Sequence, residues 1–391
     1  MSRIDDLITE LVPKGVEFRP LSELLNYEQP TKYLVASTDY SDSFPTPVLT
    51  AGQTFILGHT AESRGIYPAS PEHPVVIFDD FTTAFKWVDF PFKAKSSAMK
   101  MLTASPGAAV DFRFVYYAML CIGFIPQEHA RHWIAQYSNF RIPVPPLAVQ
   151  QEIVRILDKF MELEAELEAE LKARRRQYDH YRTRLLEDDT VQVEFVELGR
   201  LGRVVTGRTP RASDTSAWGS SVDFVTPSDI RNGTRLVSAP SRRLSKSGAS
   251  AMSKALIPSG ALLVTCIGAD MGKTVINAND CVTNQQINAV IPSGGIHVAY
   301  LFHVLTAMRE ELRTQGEQGG GTMPIINKSD FSKIKVPIPS LAHQKDVAAQ
   351  LDKFDTFVND LNVGLPAELT GRRKQYGYYR DHLLAFEEVS G

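Results

Sequence analysis

Ile142-Pro143-Val144-Pro145-Pro146-Leu147-Ala148-Val149-Gln150-Gln151 opens a charged stretch that runs to about Glu187. Val336-Pro337-Ile338-Pro339-Ser340-Leu341-Ala342-His343-Gln344-Lys345 opens a second that closes near Glu388. The two correspond residue by residue. Leu157-Asp158-Lys159-Phe160 returns as Leu351-Asp352-Lys353-Phe354, and Arg175-Arg176-Gln177-Tyr178 as Arg373-Lys374-Gln375-Tyr376. The offset grows from 194 to 198 residues between these blocks, so about one helical turn has been inserted. Gly364-Leu365-Pro366 is the expected place, and it should kink or interrupt the second helix. Upstream, Val16-Glu17-Phe18 before Leu21 is echoed by Val193-Glu194-Phe195 before Leu198. The chain is built twice, and each half reads as an opening strand, a variable body, a Pro-x-Pro turn and a long helix.

Working outward, the first helix places Ile153, Leu157, Phe160, Leu163 (or Leu167), Leu171, Tyr178, Tyr181 and Leu185 on one stripe. Its other faces are acidic early and basic late, which suits the helix dipole. At about 1.5 Å per residue it spans roughly 58 Å. So long a helix needs a partner in water, and the repeat supplies one in Val347, Leu351, Phe354, Val358, Leu361, Leu365, Leu369, Tyr376, Tyr379 and Leu383. Two such helices packed antiparallel would form a rigid spacer between two globular bodies related by an approximate two-fold axis. The resulting expectation is an α+β chain: residues 1–15 a short helix, 16–146 a first mixed α/β body, 147–190 a long helix, 191–339 a second body and 340–391 the second long helix.

The bodies carry different signals. In the first, short strand signals occur at Thr54–Leu57, Pro74–Phe78 and Thr83–Val88, and Asp111 is placed to cap a helix reaching Ile125. Asp79-Asp80 hints at a metal, but adjacent strand residues face opposite ways and no His or Glu completes a cluster. In the second, arginines dominate from Phe195 to Lys246: Arg200, Arg203, Arg208, Arg211, Arg231, Arg235, Arg242 and Arg243. The guanidinium fork suits phosphates and the guanine edge, so nucleic-acid contact is expected here. Gly268-Ala269-Asp270-Met271-Gly272-Lys273-Thr274 falls one residue short of a phosphate-binding loop and reads as a tight turn between strands. His297 to Leu312 should form the helix that answers Asp111–Ile125, with a glycine-rich loop at Gly316–Gly321.

Composition narrows the class. With 391 residues, 43% of them hydrophobic and 22% charged, the chain can bury more than one core. Its formal net charge of −3 gives no overall basic excess, so any nucleic-acid surface must be local. Cys121, Cys266 and Cys281 form no close pair, which argues against a zinc knuckle or disulfide scaffold. Met1–Asp6 has no apolar signal core, and the longest apolar run, Phe112–Ile125, is too short for a membrane span. A cytoplasmic protein without membrane partners is expected.

These marks together resemble the specificity subunit of a type I restriction–modification enzyme. The resemblance rests on the two Pro-x-Pro/Gln helix openings, on Gly207-Arg208-Thr209-Pro210 with Trp218, on Phe78–Thr83 through Ser96-Ser97-Ala98-Met99, and on Gly320–Thr322 through Lys328-Ser329-Asp330-Phe331. The first body lacks the Gly-x-Thr-Pro signature, so the two have diverged. The resemblance implies two target recognition domains, each reading half of a bipartite, asymmetric sequence in double-stranded DNA. It implies helices that hold the halves apart and bind two modification subunits, which methylate adenine, with restriction/translocase subunits joining them. It implies no catalysis and no cofactor on this chain. S-adenosylmethionine, ATP and Mg are expected on the partners, and the sequence shows no methyltransferase Asn-Pro-Pro-Tyr segment. A specificity-like adaptor or blocking subunit of another anti-phage defence system is the alternative.

Expected DNA contacts are Arg208, Thr209, Arg211, Arg231, Asn232 and Arg235 in the second domain, and Arg64, Thr82, Thr83, Lys86, Lys93 and Lys95 in the first. Expected spacer and partner-interface residues are Gln150, Leu157, Phe160, Tyr178, Tyr181, Gln344, Leu351, Phe354, Tyr376 and Tyr379.

Overall fold

The computed structural model describes residues 3–52, 54–126, 130–187, 190–211, 213–230, 234–318, 323–360 and 363–389. Two compact units emerge. The first is Met1–Glu164 with Arg372–Gly391, and the second is Ala165–Gly371. Each therefore holds one globular body together with part of each long helix.

In the first half the elements are α1 (Arg3–Leu11), β1 (Glu17–Pro20), α2 (Leu21–Leu24), β2 (Leu25–Glu28), β3 (Thr46–Leu49), β4 (Ile56–Thr60), β5 (Val75–Asp79), β6 (Phe85–Val88), β7 (Lys93–Ala94), β8 (Met99–Ala104), α3 (Phe112–Met119) and β9 (Arg141–Val144). The long helix α4 (Leu147–Leu186) follows, 40 residues without a break. In the second half come β10 (Glu194–Glu197), α5 (Leu198–Leu201), β11 (Gly202–Thr206), β12 (Trp218–Val225), β13 (Leu236–Val237), β14 (Arg242–Leu244) and α6 (Lys246–Ala251). They continue with β15 (Leu262–Thr265), β16 (Thr274–Asn277), β17 (Cys281–Thr283), β18 (Ile287–Pro292), α7 (Val298–Ala307), α8 (Arg309–Glu317), α9 (Lys328–Lys333) and β19 (Lys335–Ile338). The second long region is α10 (Leu341–Asn359) and α11 (Gly364–Leu383).

The two bodies share one topology. The first has a sheet ordered β2-β8-β5-β6, and the second has β11-β18-β15-β16 with β13 added at the edge. The small sheets β4-β3-β7 and β14-β12-β17 also match, each with one antiparallel and one parallel pair. The opening strand pairs with the Pro-x-Pro strand in both: Phe18 faces Pro143, and Phe195 faces Pro337. Proline lacks an N–H, so it belongs in two-stranded ribbons like these.

Each body closes on the helices through an apolar core. Phe78, Phe114, Tyr117 and Trp133 pack with Ile153 and Leu157 in the first, and Leu262, Leu301 and Phe331 pack with Val347 and Leu351 in the second. In the first unit Phe160 stacks on Tyr379 and Glu164 pairs with Arg373. In the second, Tyr181 stacks on Phe354 and Leu171 packs with Leu365 and Leu369. Residue numbers rise on one helix as they fall on the other, so the pairing is antiparallel within each unit.

The second helix breaks where the insertion was expected. Asp360 is extended, Gly364 takes φ 75°, and Pro366 falls in the first turn of α11, where a missing N–H costs little. The helix ends at Leu383, earlier than Glu388, because the tail turns to bond Val16: Val16 N donates to Glu387 O and Val389 N to Val16 O. The expected helix from Asp111 is also shorter, closing at Met119, and the one from His297 divides into α7 and α8, which takes up Gly316. The turn from Gly268 to Thr274 does join two strands, and Lys273 is paired with Asp270 at 2.6 Å. Gly320–Thr322 lies outside the described residues.

Candidate nucleic-acid interface and helix anchors

The Gln that follows each Pro-x-Pro turn is a clamp. Gln150 is fully buried; its Nε2 donates to Pro145 O at 2.7 Å and its Oε1 accepts from Asp111 N at 2.8 Å. Gln344 repeats this with Pro339 O at 2.9 Å and His297 N at 2.8 Å. Asp111 and His297 are the residues that precede α3 and α7, so one amide ties each long helix to the N-terminus of its domain helix.

About two turns further along, Asp158 accepts from Tyr117 Oη and, at 2.9 Å, from Arg113 Nε. Its counterpart Asp352 bonds His303 Nε2 at 2.7 Å and Arg235 Nη1 at 2.6 Å. Burial pushes the Asp352 carboxyl upward, but the His303 hydrogen bond and the Arg235 charge outweigh it and hold it below the usual value. His303 Nδ1 meets Tyr178 Oη at 3.2 Å. Gln150, Leu157, Tyr178, Gln344 and Leu351 are thus buried in their own unit and present no surface to a partner, a correction to the sequence expectation. Tyr376 packs against the first core. Phe160, Tyr181, Phe354 and Tyr379 remain partly exposed, as two stacked pairs.

The expected DNA contacts divide in the same way. Arg208, Thr209, Arg211, Arg64, Thr82 and Lys86 are exposed. Arg231 and Asn232 lie outside the described residues. Three others are corrected by their partners. Arg235 is held by Asp352 and lies over the Phe302 ring. Lys93 is buried, bonded to Glu62 at 2.6 Å and to Arg64 O at 2.8 Å. Thr83 is a buried turn residue with φ 57°, its N–H donating to Asp79 O. Lys95 is half-buried, with Nζ 3.1 Å from Tyr40 Oη. Asp79 caps the same turn through Phe81 N and Thr82 N. Asp80 is buried against Lys100 at 3.2 Å, so the paired aspartates are structural.

The sequence reading missed a turn. Gly207-Arg208-Thr209 lies against Asn284-Gln285-Gln286: Arg208 N donates to Thr283 O at 2.8 Å, and Thr209 Oγ1 donates to Gln285 Oε1 at 2.7 Å. A Cβ on Gly207 would stand 2.1 Å from Asn284 O, so glycine is required by close approach. Uncharged amides carry no signal in a search for basic residues. Arg242, one of the arginine-rich stretch but not among the expected individual contacts, has its guanidinium 3.4 Å from the Trp218 ring centre on an exposed strand. Among the described residues no group of His, Cys, Asp and Glu is placed to hold a metal ion, and no helix is long and apolar enough to cross a membrane.

Comparison with known proteins bears on this geometry directly. The family described as "Type I restriction modification DNA specificity domain" matches residues 82–174 and 190–371. The chain is 42% identical over 384 residues to the type I restriction enzyme EcoR124I/EcoR124II specificity subunit of Escherichia coli, covering 95% of this chain and 94% of that protein. It is 28% identical to a putative type I restriction enzyme specificity subunit of Haemophilus influenzae, with 95% and 96% covered. In fold it is similar to the type I restriction–modification S subunit from M. genitalium, with TM-score 0.58 and 13% identity over 95% of this chain and 96% of that one. Two mixed α/β domains of one topology, two long helices and a match across most of the length place this chain in the type I restriction–modification specificity (S) subunit family.

Proposed function

We propose that this chain reads a split DNA sequence, one half with each recognition domain, and brings modification and restriction subunits to it. The observation that carries this reading is the repetition of one topology with one helix clamp: Gln150 and Gln344 dock two bodies of the same build onto paired helices. The bodies differ in sequence, so the halves of the target differ too. The target is therefore bipartite and asymmetric. Phosphates supply affinity that is insensitive to sequence, and base edges supply specificity. Arg64, Thr82, Lys86 and Lys95 in the first domain, and Arg208, Thr209, Arg211, Arg231 and Asn232 in the second, are the proposed DNA-facing residues.

The stacked pairs Phe160/Tyr379 and Tyr181/Phe354 are the proposed docking points for two modification subunits. Tyr181 and Phe354 are 39% and 40% exposed, and Tyr379 is 38% exposed, which is more than a finished helix pair needs to leave open. S-adenosylmethionine, ATP and Mg belong to the partners in this reading. The target adenine must leave the duplex to be methylated, and the pocket for it is theirs. Co-expression with the modification subunit, followed by single-molecule sequencing of methylated adenines, tests the proposal. A split motif with a fixed gap supports it. An assembled complex that leaves DNA unmethylated contradicts it and favours a blocking role.

A further inference from the structure

We infer that the clamped double turn Gly207-Arg208-Thr209/Asn284-Gln285-Gln286 is the base-reading element of the second domain, and that it reads a guanine through its surplus of donors. The inference rests on the DNA-reading role proposed above and assigns part of it to particular atoms.

The argument is one of hydrogen-bond capacity. A neutral amide offers an acceptor oxygen and two N–H donors. In this turn every side-chain amide oxygen already accepts one hydrogen bond and keeps one lone pair. Asn284 Oδ1 accepts from Gln286 N at 3.1 Å. Gln286 Oε1 accepts from Asn284 Nδ2 at 2.8 Å. Gln285 Oε1 accepts from Thr209 Oγ1 at 2.7 Å. The amide nitrogens of Gln285 and Gln286 have no partner among the described residues, and Gln285 is exposed. Arg208, also exposed, has a guanidinium with no partner among the described residues. The turn therefore offers more donors than acceptors: each amide oxygen keeps one lone pair and the Thr209 hydroxyl can still accept, against the Gln285 and Gln286 amides and the five N–H donors of Arg208.

That bias selects a base. Guanine shows two acceptors, O6 and N7, in the major groove. Adenine shows one acceptor and one donor, and cytosine shows a donor. A donor-rich surface favours guanine and disfavours cytosine, whose N4 amine would mostly face other donors. Preorganisation favours the same conclusion. Asn284 N is bonded to Val225 O, and Arg208 N to Thr283 O, so the turn is fixed to two strands before DNA arrives. Thr209 acts here as a positioning residue, aiming the Gln285 amide. The corresponding turn of the first domain is Lys95-Ser96-Ser97-Ala98, between β7 and β8, which has no side-chain amide, so its half-site is read by other chemistry.

The test uses the full chain in complex with its modification subunits, and duplexes carrying the methylated motif. Guanines are replaced one at a time by 7-deazaguanine, which lacks the N7 acceptor. The wild-type complex should lose roughly 10- to 100-fold in binding at a guanine of one half-site. That penalty should disappear in complexes carrying Arg208→Ala or Gln285→Ala, with the other half-site and the gap unchanged. Gln285→Glu, which keeps the shape and exchanges donors for an acceptor, should shift the preference at one position toward cytosine. Thr209→Val should weaken discrimination at the Gln285 position, and Thr209→Ser should restore it. A motif in which no guanine is sensitive to 7-deazaguanine, or a penalty that both alanine variants retain in full, overturns the inference. Wild-type binding no tighter to the motif than to scrambled DNA removes the underlying role instead, so the two failures are distinguishable.

Discussion

The two recognition domains place different chemistry at one buried position. In the first, Asp80 follows β5 and its carboxylate pairs with Lys100 of β8, both 1% exposed. In the second, the corresponding residues are Cys266, after β15, and Asn288 of β18. The backbone is unchanged: Asp80 O accepts from His132 N at 2.9 Å, and Cys266 O accepts from Ile326 N at 2.9 Å. Asp80 also accepts from Trp133 N. Burial pushes the Cys266 thiol up to about 11, so it stays a neutral thiol at physiological pH. One fold thus tolerates a buried ion pair or a neutral pair at the same place. Geometry is held by the strand ladder, and side chains there can vary once each is satisfied.

The largest expected effect follows from that contrast. Asp80→Ala leaves the Lys100 ammonium buried without its counter-ion, with only the face of the Tyr27 ring 5.3 Å away, and should destabilise the chain by about 3–5 kcal/mol. Cys266→Ala removes one sulfur and should cost about 1 kcal/mol. Denaturant unfolding of both variants compares them, and equal losses would contradict the ion-pair account. Next come the clamps. Gln150→Ala and Gln344→Ala each leave a part-buried N–H and a buried carbonyl unbonded, at a cost of about 1–3 kcal/mol for the buried group. Because the two sites have the same geometry, the two losses should agree within about 1 kcal/mol. A large loss at one site and none at the other would break the equivalence of the halves.

Smaller again is a pH effect confined to the second unit. Asp352 titrates below its ordinary value of 3.8 when folded. Its contribution is therefore complete above about pH 4 and is lost as pH falls through the depressed folded value. Asp352→Asn should flatten the acid limb of the stability curve below pH 4. Acid unfolding followed by circular dichroism checks it. The smallest effect expected is on DNA. Lys86→Ala should weaken binding uniformly across sequences and reduce the salt slope by about one. Titrations at several salt concentrations measure it, and a change confined to one base pair would make Lys86 a reader instead.

Much of the architecture was legible because it repeats. A Pro-x-Pro turn, a Gln and a helical stripe recurring at one offset announce two equivalent halves without any structure. The helix break at Gly364 was legible for the same reason, since the offset changes across it. The role of Gln150 was not, because a polar residue at a helix start reads as exposed until the helix packing on it is known. Lys93, Arg235 and Thr83 were misplaced for a related cause. Glu62 lies 31 residues before Lys93, and Asp352 lies 117 residues after Arg235, so their ion pairs exist only once the chain has folded. Asn284-Gln285-Gln286 escaped because hydrogen-bond capacity, unlike charge, depends on which atoms are already bonded.

Binding to DNA in which each part of the motif is altered separately tests the central claim most directly. The complex is titrated with the intact motif, with either half-site scrambled, and with the gap lengthened by one base pair. Two domains reading two halves across paired helices predict a large loss in all three altered duplexes. Tolerance of the longer gap, or a half-site that can be scrambled without loss, would contradict the account.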